Sequence, residues 1–251
     1  MASRKEEKER LRIAREQAEA AERKQERKRL ILGYVVAGVI TVAVVAGIVF
    51  AITSGGGDGG GETVDAGENA RVNEEYGIVP DGVTVDDREA AEAPTTGETG
   101  LEAAAAAANC ELIVEQEDEG ATHLPDDTKP PDYKADPPTS GDHSANAMAD
   151  GAFQGDANVV NYLHSMEHGR VVVQYSSDVT EEEQQELLGL YDEDPSGMLL
   201  VPNDELPYAV AATAWRQTLG CDSYEGAATL DAIRAFKGAY RARGPEPVPM
   251  G

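Results

Sequence analysis

The chain has 251 residues, with 21 Lys and Arg against 47 Asp and Glu, a net charge of -26. That charge excludes a nucleic-acid binder, which needs a basic surface against phosphate, and two Cys 111 positions apart exclude a zinc-finger framework. Only 5% aromatics, with 26 Gly and 13 Pro, exclude one tightly packed globule over the whole length and leave one ordinary domain plus extensions.

Residues 1–29 hold 11 Lys/Arg and 7 Asp/Glu, a net of +4, and end in the basic stretch Arg23 to Arg29. Residues 30–52, LILGYVVAGVITVAVVAGIVFAI, carry no charge. As a helix the run is roughly 34 Å long, enough to cross a hydrocarbon core of about 30 Å. A cleaved signal peptide has a shorter leader and a shorter apolar region, so the run reads as an uncleaved signal anchor, a single transmembrane helix. After it, residues 53–251 hold 10 Lys/Arg and 40 Asp/Glu, a net of -30. Basic residues beside a span stay on the cytoplasmic side. The expected topology is a cytoplasmic charged tail, a single pass through the cell membrane and an extracytoplasmic C-terminal domain, with the lipid bilayer as partner of residues 30–52.

Residues 53–109 open with SGGGDGGGE, a flexible Gly linker. Between Glu62 and Thr99 there are 11 acids opposed only by Arg71 and Arg88. With few large apolar side chains this stretch is expected to stay disordered, a spacer ending in LEAAAAAA at 101–108, two helical turns leading into the domain.

Residues 110–251 are of domain size. CELIVEQE opens it as a strand, followed by irregular surface around Pro125, Pro130, Pro131, Pro137 and Pro138. RVVVQYS at 170–176 is a buried strand. Thr180 with Glu183 forms a capping box for a helix over 180–191. GMLLVP at 197–202 is a strand, 208–219 is a strand or a strand and turn, and Leu230, Ile233, Phe236 and Tyr240 recur at helical spacing in a last helix over 225–243. The expected class is α+β, a small mixed sheet with helices on one face. Cys110 and Cys221 both lie on the expected oxidising side, where a disulfide persists; two free thiols or a pair of soft metal ligands are the alternatives.

All four histidines, His123, His143, His164 and His168, fall within 46 residues. His164 and His168 share a face on either a helix or a strand. A helix adds Glu167 to them; a strand adds Met166 and turns Glu167 away. HSMEH also matches the H-x-x-E-H pattern of inverted zinc peptidases, but Gly169 and a strand follow at once, where that chemistry needs a helix carrying both imidazoles. In PPTSGDH at 137–143 the Thr-Ser-Gly turn can aim His143. Ser140 lacks the G-x-S-x-G elbow of a hydrolase.

PPTSGDH, then Gly151 and Phe153, then LHSMEHGRVVVQY, then Ala214-Trp215 before Cys221, resemble a bacterial family called domain of unknown function 3105, over about residues 109–246. Asp142 stands where that family usually has a proline. The resemblance implies a membrane anchor and a two-cysteine domain, and no reaction. Two functions fit these residues. The first is an extracytoplasmic domain binding copper or zinc through His123, His143, His164 and His168, with Glu167 or Met166. Copper is favoured because Met148, Met166 and Met198 lie in the same domain and thioether suits Cu(I). The second is a structural or interaction module of the cell envelope, with an envelope protein as partner, whose histidines donate to backbone carbonyls and hold no ion. A metal-dependent hydrolase ranks behind both, so no catalytic residue is assigned.

Overall fold

The computed structural model describes residues 71–125, 129–155 and 157–250. The expected cytoplasmic tail at 1–29 and membrane span at 30–52 lie outside the described residues, and among those no helix is long and apolar enough to cross a membrane. In chain order the strands are β1 (Val72–Asn73), β2 (Thr84–Val85), β3 (Cys110–Ile113), β4 (His123–Leu124), β5 (His143–Ser144), β6 (Asp150–Gln154), β7 (Val171–Tyr175), β8 (Met198–Pro202), β9 (Val210–Ala214) and β10 (Gln217–Cys221). The helices are α1 (Leu101–Ala107), α2 (Val159–Glu167), α3 (Glu181–Glu193) and α4 (Ala227–Tyr240). An eight-stranded mixed sheet runs β1-β6-β8-β7-β9-β10-β3, with β2 also paired to β6, and β4 and β5 form a separate parallel pair.

β6, β8 and β7 are parallel, and β7, β9, β10 and β3 alternate in direction. From β6 the chain steps across β8 to reach β7, then steps back to β8, so right-handed crossovers set α2 and α3 on opposite faces. The packing agrees. Val171 and Val173 join Leu187 and Leu188 of α3 and Leu230, Ile233 and Phe236 of α4 in one apolar cluster. Val172, Leu199 and Val201 face the other way, onto Tyr162, Leu163 and Met166 of α2. The expectation of helices on one face is therefore corrected: helices cover both. The reason lies in β7 itself, whose unbroken VVV run has two apolar faces to bury.

The domain also begins earlier than residue 110. Within the expected linker at 53–109, residues 71–109 belong to the fold. β1 and β2 pair antiparallel with β6, and Ala104, Ala105 and Ala108 are buried in the first cluster. Low hydrophobic content keeps a segment disordered only when it must form its own core. This one adds strands to an existing edge and small side chains to an existing helix. Its two cations are anchors: Arg71 forms a two-pronged ion pair with Asp192, at 2.9 and 2.8 Å, and Arg88, itself paired with Asp86 at 2.7 Å, donates to the Gln184 side chain at 2.8 Å and to the Tyr175 hydroxyl at 3.3 Å. Asp231 of α4 fastens the segment further on, accepting hydrogen bonds from the Thr95 hydroxyl, from the Thr96 hydroxyl and N–H and from the Gly97 N–H.

The capping box is present, Thr180 and Glu183 each bonding the other's backbone. Residues 208–219 divide into β9, a turn at Trp215-Arg216 and β10, with Arg216 at φ 61°. Cys110 and Cys221 stand opposite one another on β3 and β10 and are joined as a disulfide.

Two outcomes follow. Replacing both cysteines with serine should cost about 2–5 kcal/mol in urea unfolding, and non-reducing peptide mapping should recover the 110 and 221 peptides linked; recovery of two free thiols is the contrary result. Burial alone would raise the Asp231 pKa, but the threonine donors and Arg234 overcome it and hold the carboxyl down to about 2 from 3.8. Its stabilisation is then complete above about pH 4 and fades as pH falls towards 2. Asp231→Asn should lower stability by about 1–2 kcal/mol at pH 7, with the gap to wild type narrowing below pH 4. An unchanged gap at low pH would show that the charge of Asp231 contributes nothing.

Candidate metal centre

α2 carries two of the converging groups, and several contacts fix its position. The Asn158 side chain accepts from the Val160 N–H at its start. The Asn161 amide donates to the Asn146 carbonyl at 2.7 Å and the Ser165 hydroxyl to the Met148 carbonyl at 2.8 Å. Gly169, at φ 87°, ends the helix in the left-handed region that glycine occupies without strain. His164 and Glu167, three apart, project from one face, as the helical alternative expects. Met166 projects away and is wholly buried in the second apolar cluster. It is therefore withdrawn as a ligand candidate.

β5 brings His143 to this face. In the Thr-Ser-Gly turn before it, Gly141 sits at φ 127°, and a side chain there would strike Tyr133. The Gly141 carbonyl accepts the Nδ1–H of His143 at 2.8 Å. The Ser144 carbonyl accepts the Nδ1–H of His164 at 2.7 Å. Both rings are thereby fixed in tautomer and orientation, with Nε2 pointing inwards. β4 delivers the third imidazole, with His123 in register with His143. Asp142 helps hold β4 in place: its carboxylate accepts the Thr122 N–H at 3.2 Å.

One donor atom from each of His123, His143, His164 and Glu167 lies within 4.8 Å of the others. His143 Nε2 is 3.1 Å from Glu167 Oε2, and His123 Nε2 is 3.7 Å from the same oxygen. The His123 ring stacks on His164 at 4.7 Å. Donors around a zinc ion at about 2.0–2.1 Å are separated by roughly 3.3 Å, so small side-chain movements close this set around one ion. His143, His164 and Glu167 are buried, whereas the His123 side chain is 48% exposed, so the centre opens to solvent on that side.

The contact between His143 and Glu167 needs a positive partner. Because Nδ1 donates its hydrogen to Gly141, a neutral His143 directs the Nε2 lone pair at a carboxylate oxygen. Two electron-rich atoms at that distance require a proton or a metal cation between them. Burial pulls the pKa of His164 down, more than its bond to Ser144 raises it, and the neighbouring His143 and His123 lower it further. His164 is accordingly neutral at pH 7, the form that binds metal.

His168 stands one step back. With the hydrogen of His164 on Nδ1, its Nε2 accepts the Nε2–H of His168 at 3.0 Å, a bond that a metal on His164 would displace, and the Nδ1 of His168 is buried with no hydrogen-bond partner among the described residues. Burial, reinforced by His164 and Arg170, holds its pKa down to about 4. It contacts the group of four without belonging to it. Ser140 contributes no nucleophile here, since its hydroxyl contacts the backbone of Glu117 and Glu119. The methionine argument for copper also falls, because Met148 and Met166 lie in one apolar cluster and Met198 in the other. Trp215, which sequence reasoning gave no role at the centre, sets its ring edge-on to His143 at 6.0 Å. The carbonyls of Gly141 and Ser144 were missed as well, since no side chain marks them.

Fold and site thus define an α+β domain with a three-histidine, one-carboxylate group that could hold a metal ion. The model of a family described as Protein of unknown function (DUF3105) matches residues 125–249, and the chain belongs to that family. The matched segment includes His143, His164, Glu167 and His168 and starts just beyond His123. No curated protein and no solved structure matches the chain.

Proposed function

We propose that this protein binds one divalent transition-metal ion through His123, His143, His164 and Glu167, in a domain held outside the cell membrane by residues 30–52. The observation that carries the metal reading is the paired orientation of His143 and His164. Each donates Nδ1–H to a backbone carbonyl, which sets the His143 Nε2 against Glu167 and the His164 Nε2 against His168, with a donor atom of His164 within 4.8 Å of those of His123, His143 and Glu167. Ligating histidines are held in this way by a carbonyl or carboxylate behind the ring. Three imidazoles and a carboxylate suit Zn(II) or Cu(II) and offer no thioether to select Cu(I). The C-terminal end of α2, with its partial negative charge, favours a cation.

A holding site fits the geometry better than a peptidase. In the H-x-x-E-H arrangement both histidines bind the metal and the glutamate activates water. Here the glutamate is among the converging donors and His168 is not. The structural module is the second reading, supported by the buried His143–Glu167 contact, which a proton alone can also hold. The anchor is supported by the uncharged run and by the charge step from +4 to -30 across it. The Cys110–Cys221 disulfide supports an oxidising compartment.

Tag-free protein should bind one equivalent of Zn(II) or Cu(II) near neutral pH by calorimetry and metal analysis. His143→Ala or Glu167→Gln should weaken binding at least about a hundred-fold. Cu(II) should quench fluorescence, because Trp215 is the chain's one tryptophan and adjoins the centre. Absence of stoichiometric binding would leave the structural module. For topology, protease added outside intact spheroplasts should release the domain. Protection until the cytoplasmic side is opened would reverse the orientation.

A further inference from the structure

The last residues of the chain cross the end of the helix that carries His164 and Glu167. An α-helix leaves its last four carbonyls without intrahelical partners. In α2, those of His164, Ser165 and Met166 are met by the N–H groups of His168, Arg170 and Gly169. The fourth, of Glu167, accepts the N–H of Glu246 at 3.0 Å, and the next carbonyl, of His168, accepts the N–H of Val248 at 3.3 Å. The tail therefore completes the cap on Glu167, one of the four donors, and on His168 beside it.

The fit is close at both ends of the tail. A side chain at Gly244 would overlap the Glu167 carbonyl and the Gly169 nitrogen. A side chain at Gly197 would strike the Met250 sulfur. Between these points lies Arg170, almost wholly buried. Its guanidinium pairs with Asp150 at 2.9 Å and donates to the carbonyls of His168, Val248 and Pro249. Pro245, Pro247 and Pro249 stiffen the segment in an extended form, so little ordering entropy opposes its docking.

We propose that residues 244–250 are a strap that positions the donor groups of α2, so that the affinity of the centre for metal depends on a segment that supplies no ligand itself. This rests on the metal-binding reading above. Glu167 is the last residue of the helix and His168 its cap, where an unsupported end frays. Without the strap the Glu167 carbonyl loses its partner, and the carboxylate is freed from its alignment with His143.

Three full-length variants test this by Zn(II) or Cu(II) calorimetry. Glu246→Pro removes a single N–H in an already proline-rich extended segment, and should weaken metal binding about 10–100-fold, the range for groups that orient ligands from behind. Glu246→Gln keeps that N–H and removes the charge acting on His168, and should bind as wild type does. A stop codon after Arg243 should lose at least as much affinity as Glu246→Pro. Thermal unfolding without metal separates loosened donors from general unfolding, since Glu246→Pro should leave the midpoint nearly unchanged. Wild-type affinity in both the proline and the truncated variants overturns the strap, and equal losses in Glu246→Gln and Glu246→Pro overturn the backbone assignment. Failure of the wild type to bind metal refutes the centre itself, a result distinct from either.

Discussion

The centre depends on two hydrogen bonds that no sequence pattern announces, from His143 to the Gly141 carbonyl and from His164 to the Ser144 carbonyl. An imidazole free to rotate presents either nitrogen to either side, and a cluster of such rings is only a local concentration of nitrogen. Once each Nδ1–H is committed to a carbonyl, each Nε2 has one direction. The turn at Gly141 serves this alignment by delivering its carbonyl, and the side-chain bonds from Asn161 and Ser165 hold α2 at the height where Ser144 meets His164. Outward-donating rings and convergent ligand atoms looked like opposite signatures of a structural and a metal-binding role. In this domain the first produces the second.

The position of the centre follows from the layering. In open α/β sheets, ligands usually lie beyond the carboxyl ends of the parallel strands, where successive crossovers diverge. Here that end carries a crevice lined by Gln154, Tyr175, Ser176, Gln184 and Asp204, among others, with no histidine. The converging donors sit at the opposite end, beside the C-terminus of α2 and the start of β7. That location brings them next to the turn between β9 and β10 and explains the contact of Trp215 with His143.

Much of the second half could be read from residue patterns. The Thr180–Glu183 box, the valines of β7 and the spacing of Leu230, Ile233 and Phe236 each reflect a local rule that the packing then satisfies. The failures were of another kind. β1, β2 and α1 are ordered by surfaces elsewhere in the chain, so their own composition described them as linker. Helices on both faces follow from the order of β6, β8 and β7, which no single segment encodes. For His164 and His168 the even spacing suited both periodicities. Asn158 and Gly169, the cap and the stop, settle the matter through backbone geometry, and with it the choice of Glu167 over Met166. His168 shares the expected face, but as the cap residue it lies beyond the last turn and meets His164 instead of the common point.

The cross-strand disulfide divides the chain in a way that matters for durability. Residues 110–221 form a covalently closed ring, and all four donors, together with the carbonyls that aim them, lie within it. A single protease cut inside the ring opens a loop without parting any donor from the rest, and a cut before residue 110 leaves the ring whole. The tail from 244 onwards is outside the ring and has no such protection. In a proteolytic environment this protein therefore keeps its donors on one molecule through a first cleavage, while the segment that steadies them can be lost at a single peptide bond.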